Sequence, residues 1–137
     1  MILVDTGVLY AVADRDDPDH DASDRLLARH TSAELLVPTT VMVEAAWMIE
    51  TRLGPASEAG FLRAVHQGEL TRLELMDTDL VRIVELIDRY SDLGLGIVDA
   101  SVVAIAERLD VTTIATLDHR DFAVVRPSHV DAFELIP

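Results

Sequence analysis

Met1-Ile2-Leu3-Val4-Asp5-Thr6-Gly7 decides the fold. Ile2 to Val4 is a short apolar run with no room for a helical stripe, so it reads as a buried strand. Asp5 and Thr6 follow it at once, and Gly7 to Ala13 reads as a helix. A wholly apolar strand that passes straight into a helix is the opening of a parallel sheet covered on both faces.

The same grammar recurs outward from that start. Asp14-Arg15-Asp16-Asp17-Pro18 is a loop, and Pro18 is expected at the first position of a second helix reaching about His30, with Leu26 and Leu27 on its apolar side. Leu35-Leu36-Val37 is a second buried strand closed by Pro38. Thr39 is expected to cap a long helix to Leu53, which Gly54 ends. Pro55 opens a helix to about Gln67. Leu70 to Met76 reads as a strand or extended link. Leu80, Val81, Ile83, Val84 and Ile87 mark a helix over 77–90, and Ile97 to Leu109 is another. A β-branched strand, Val111 to Thr116, a turn to Val124-Val125 and a last short strand within Phe133 to Ile136 complete the chain. The expectation is one α/β domain over 1–137, a short, mostly parallel sheet flanked by helices.

Composition narrows the chemistry. Cysteine is absent, which removes disulfides, thiolate metal sites and cysteine nucleophiles, and fits a reducing cytoplasm. The N-terminus has no basic n-region and no long apolar core, so it does not read as a signal peptide, and no apolar run approaches the roughly 20 residues of a membrane span. The formal charge is −14, and every basic residue is arginine. So acidic a chain cannot draw in nucleic acid with its overall field; binding RNA would require a local arginine patch, bound cations or both.

Four carboxylates stand out. Asp5 follows the first strand and Asp118 follows the strand that ends at Thr116. Ligand sites in parallel α/β folds lie beyond such strand ends. Asp99 stands in the first turn of a helix. Glu44 interrupts the apolar stripe of Val41, Trp47 and Met48, a costly place for an unpaired charge. Each has a structural alternative: a helix cap for Asp5, an exposed position or an arginine pair for Glu44, a helix-dipole position for Asp99 and a turn for Asp118. Gathered at one edge the four would repel one another, and a hard divalent cation removes that penalty. The all-oxygen donor set, with no zinc-spaced histidine or cysteine, points to Mg²⁺ or Mn²⁺, and hence to activated water and phosphoryl chemistry.

Ile2 to Thr6, Pro38 to Glu44, Ile97 to Ala100 and Thr116 to Phe122 together resemble the four signature segments of PIN-domain nucleases, in order and across nearly the whole chain. The small single-domain form is most similar to the VapC toxins of VapBC toxin–antitoxin systems. The resemblance implies a PIN-like three-layer sandwich and a Mg²⁺-dependent endoribonuclease cutting structured cellular RNA, tRNA or rRNA. It also implies a homodimer and a VapB-like antitoxin whose tail covers the active site. Carried over by position, Asp5, Glu44, Asp99 and Asp118 become the acidic site, with Asp5, Asp99 and Asp118 on the metal and Thr6 and Thr116 as supporting hydroxyls. Asp92 and Asp121 are read as solvated. Arg15, Arg89, Arg120 and His119 are candidates for phosphate contacts through their nearness in sequence to the site segments, with ordinary surface ion pairs as the alternative.

Other classes fare worse. A response-regulator receiver needs a lysine after a late strand, and the chain has none. A haloacid-dehalogenase-type phosphatase needs a second aspartate two residues after Asp5, where Gly7 stands. The remaining alternatives are a catalytically idle PIN-like module that only binds a partner, and a housekeeping nuclease of RNA processing.

Overall fold

The computed structural model describes all 137 residues. Five short strands form one sheet in which every neighbouring pair is parallel, in the order β3-β2-β1-β4-β5. They are β1 (Ile2–Val4), β2 (Leu35–Pro38), β3 (Thr71–Leu73), β4 (Thr113–Ala115) and β5 (Glu134–Ile136). Seven helices connect and flank them: α1 (Thr6–Ala13), α2 (His20–Ala28), α3 (Thr39–Leu53), α4 (Pro55–His66), α5 (Asp77–Arg89), α6 (Ile97–Leu109) and α7 (His119–Val124). This is the helix-flanked parallel sheet expected from the apolar runs.

The strand order matters for the site. From β1 the chain builds outward through β2 to β3, then jumps across to β4 and builds the other way. The reversal falls between β1 and β4, which pair with Val4 beside Ala115. In open α/β sheets the crevice at such a switch point, outside the carboxyl ends of the strands, is where ligands sit. Leu3, Val4 and Ile114 are fully buried there within a single core of 26 apolar residues.

Three local readings need correction. Pro18 does not begin α2. Asp14 and Asp17 accept the backbone N–H groups of Asp16 and Asp19 at 3.1 and 2.8 Å, which holds 14–19 in turns and delays the helix to His20. Thr39 is not a cap: Pro38 takes the cap position, and the Thr39 hydroxyl donates to the Leu73 carbonyl at 3.1 Å, tying the start of α3 to the end of β3. The segment after Asp118 is a six-residue helix, α7, rather than a plain turn.

Gly60 lies inside α4, and a Cβ there would meet nothing within 4 Å. Gly60→Ala should raise stability by about 0.5–1 kcal/mol in urea unfolding, since glycine carries an entropic cost inside a helix. Gly54, with φ at +92°, should respond with the opposite sign to alanine.

Candidate active site

Asp5 occupies the cap position of α1, yet its side chain makes no capping hydrogen bond. It instead accepts a 2.9 Å hydrogen bond from the Thr116 hydroxyl at the end of β4, across the switch point. Thr116 in turn accepts the Asp118 backbone N–H at 3.1 Å. This relay joins the ends of the two central strands, and both Asp5 and Thr116 are buried. The Thr6 hydroxyl beside them is buried with no partner.

Glu44 projects half-buried from α3, and Asp99 from the first turn of α6, whose cap is Gly96. Neither takes part in any salt bridge, and neither do Asp5 and Asp118. Asp118 is exposed and does cap α7, accepting the Arg120 N–H at 3.2 Å. All four acids line one cleft of about 620 Å³, together with Thr6, Gly7, Met48, Ile97, Val98 and Leu117.

The electrostatics follow from this crowding. Burial pushes the Asp99 carboxyl up to about 7, and Asp5, Asp121, Glu44 and Asp118 all push the same way. Burial also raises Asp5, with help from Glu44 and Asp118, while the Thr6 backbone N–H and the Thr116 hydroxyl pull it down. A buried Asp5, half-buried Glu44 and Asp99 and an exposed Asp118, lining one cleft with no arginine paired to any of them, suit a divalent cation. The donor set is hard oxygen, and the orphan Thr6 hydroxyl adds one more oxygen without a partner. No three acidic or histidine side chains converge into a ready-made cage. The fit to a divalent ion rests on the hard-oxygen donor set and its uncompensated charge.

Asp121 is a departure from the sequence reading. It is buried, one helical turn from Asp118 on the same side of α7, and acts on Asp99 more strongly than Glu44 or Asp118 does. Its salt bridge is to Arg120 at 3.3 Å, whose own side chain is largely in solvent. The signal in the sequence was the three-residue spacing of Asp118 and Asp121 ahead of an apolar pair, an α-helical opening. Asp92 is exposed, as expected. Of the arginine candidates, Arg120 adjoins the cleft through Asp118 and Asp121. Arg15 lies beyond the far end of α1 and Arg89 stacks on the Tyr90 ring at 5.5 Å; neither lines the cleft. The His119 ring nitrogen Nε2 lies 3.1 Å from the Thr116 carbonyl, so it is engaged with the backbone.

Comparison with known proteins gives a consistent answer. The profile of the PIN domain family matches residues 2–126. The chain is 31% identical over 136 residues to Ribonuclease VapC26 of Mycobacterium tuberculosis (strain ATCC 25618 / H37Rv), spanning 99% of this chain and 100% of that one. Mycobacterium tuberculosis VapC20, a sarcin–ricin loop cleaving toxin, superposes with a TM-score of 0.83 at 19% identity, over 96% of this chain and 99% of its own. VapBC2 from Rickettsia felis, bound to a DNA fragment from its promoter, superposes with a TM-score of 0.70 at 14% identity, over 98% and 97%. At these identities the two superpositions speak for the fold.

The raised Asp99 carboxyl gives a pH test without any ligand. Its ordinary value is 3.8 and its folded value about 7, so the folded state holds the extra proton between them. Stability of the metal-free protein should therefore be greatest near pH 4, fall as pH rises to about 7, and flatten above; Asp5 adds in the same direction. Asp99→Asn should make thermal melts less pH-dependent and more stable at neutral pH, by about 1 kcal/mol. A variant less stable than wild type at pH 7.5 would mean that the Asp99 charge serves the α6 helix dipole instead.

Proposed function

The chain belongs to the PIN-domain family and within it to the VapC ribonucleases, and from that premise we propose that it is a Mg²⁺-dependent endoribonuclease, the toxin of a type II toxin–antitoxin pair. The observation that carries this reading is the single cleft at the β1–β4 switch point, lined by Asp5, Glu44, Asp99 and Asp118 with no arginine paired to any of them. Asp5, Asp99 and Asp118 are the ligands we assign to Mg²⁺, with Mn²⁺ as a substitute. A bound divalent ion would supply charge compensation and an activated water for attack on a phosphodiester. Thr116 fixes the orientation of Asp5 through its 2.9 Å hydrogen bond. Thr6 offers a hydroxyl at the floor of the cleft, and Glu44 faces the cleft as the general base for water.

The substrate class is structured cellular RNA, tRNA or rRNA, cut where a loop leaves its backbone accessible. Action on the cytoplasmic RNA pool is the corresponding location; no helix is long and apolar enough to cross a membrane. Arg120, whose side chain is largely in solvent two residues after Asp118, is the basic group we assign to a substrate phosphate. The partner is a VapB-like antitoxin. An apolar groove of about 460 Å³ between α1, α2 and α4, lined by Leu9, Val12, Leu27 and Phe61 among others, suits an amphipathic segment of such a protein. Exposed Val43 and Trp47 on α3 and Leu80, Val81 and Val84 on α5 support a homodimer.

Purified protein should cleave RNA only with a divalent ion, and excess chelator should abolish cleavage. Asp5→Asn, Glu44→Gln and Asp99→Asn should each lower the rate by at least about a hundredfold. Asp118→Asn should cost less, because this acid is exposed and already committed in part to capping α7. Undiminished cleavage in the Asp5 and Asp99 variants would overturn the assignment. Light scattering at micromolar concentration should give twice the chain mass, 30.2 kDa from 15.1 kDa per chain; the monomer mass would remove the dimer.

A further inference from the structure

Asp5 and Asp118 are held in register by the β1–β4 ladder and by Thr116. Glu44 and Asp99 have no such ladder. They project from α3 and α6, two helices that pack against each other, with Val41, Ala45 and Val102 buried in the core. We infer that Thr40 and Ser101 are positioning residues for this pair: their hydroxyls form a relay that sets the Glu44 turn of α3 against the peptide that carries Asp99.

The direction of the relay follows from proton counting. Ser101 is completely buried, and its hydroxyl donates to the Val98 carbonyl at 2.6 Å. With its one proton used, Ser101 can only accept from Thr40, so the Thr40 hydroxyl donates to Ser101 Oγ. Thr40 lies one helical turn before Glu44 on the same face of α3. At the other end, Val98 is joined by its peptide bond to Asp99. The relay thus runs from the Glu44 face of one helix to the backbone carbonyl immediately before Asp99, across 61 residues of sequence. It is the only direct side-chain hydrogen bond between α3 and α6, and it meets both helices beside their acids. Directional bonds add to packing in holding the separation of the two helices, and small displacements of a reacting group are expensive in rate.

This inference rests on reading the cleft as a metal-dependent nuclease site. The decisive protein is the double variant Thr40→Val with Ser101→Ala. Removing both partners together, in nearly the same shape, leaves no buried hydroxyl unpaired, so folding stability should stay close to wild type. If the relay positions the acids, Mn²⁺ affinity measured by isothermal titration should nevertheless fall by about tenfold or more, as should the maximal rate of cleavage of total RNA. The Mg²⁺ concentration for half-maximal cleavage should rise with it. Thr40→Ser keeps the donor and should retain wild-type affinity and rate. A double variant with wild-type Mn²⁺ affinity and rate overturns the inference, as does loss of both only in proportion to a lowered melting temperature. A wild type that binds Mn²⁺ without cutting RNA refutes the nuclease reading alone, and the titration still decides the relay. A wild type that does neither refutes both.

Discussion

Asp5 is a carboxylate that folding removes from water, and the arrangement that makes this tolerable organises the rest of the molecule. Its position is dictated by β1, the central strand, whose three residues are all buried. Its protein side-chain donor, Thr116, comes from the neighbouring strand that the chain reaches only after building the other half of the sheet. The hydrogen bonds from the Thr116 hydroxyl and the Thr6 N–H do not neutralise a charge, so the acids of the site repel one another until something of opposite sign arrives. Repulsion of this kind is tolerated only where the surrounding structure supplies enough stability to offset it. Here that structure is a fully parallel sheet with a continuous apolar core.

The same protein shows what a compensated acid looks like. Between α5 and α6, Arg82 grips Glu107 through two hydrogen bonds of 2.7 and 3.0 Å, and Arg108 meets the buried Asp79 at 2.9 Å. Burial alone would raise Glu107, but Arg82 and the Ser128 N–H outweigh it and hold the carboxyl below its usual value. These pairs anchor the last turn of α6 against the first half of α5. At the start of α6, Asp99 has no such partner and moves in the opposite direction. One helix therefore carries a paired, structural acid toward its end and an unpaired one at its beginning.

How much of this was legible depended on whether the signal was local. The buried strands announce themselves as short apolar runs, and the acids at their ends follow from the rule for parallel sheets. Glu44 was legible because a charge on an apolar stripe is conspicuous. Helix α7 was not, since six residues are too few to display a period, and with it went the burial of Asp121. Arg15 illustrates the converse: closeness in sequence to Asp5 says little once α1 lies between. The Thr40–Ser101 contact leaves no local trace, because two hydroxyls 61 residues apart become neighbours only when α3 and α6 pack.

The net charge of −14 and a cleft walled by carboxylates have a consequence for how fast a substrate is met. Most proteins that bind nucleic acid lose affinity as salt is added, because they release counterions from the polyanion. Here the long-range field opposes a polyanion from the outset. At 0.01 M ionic strength that repulsion reaches about 30 Å, and at 0.1 M about 10 Å. Moderate monovalent salt should therefore quicken the encounter with RNA, while slowing the approach of any cationic segment that the same field draws in. In dilute buffer a basic partner would win the race to the cleft; in concentrated buffer its kinetic advantage would shrink.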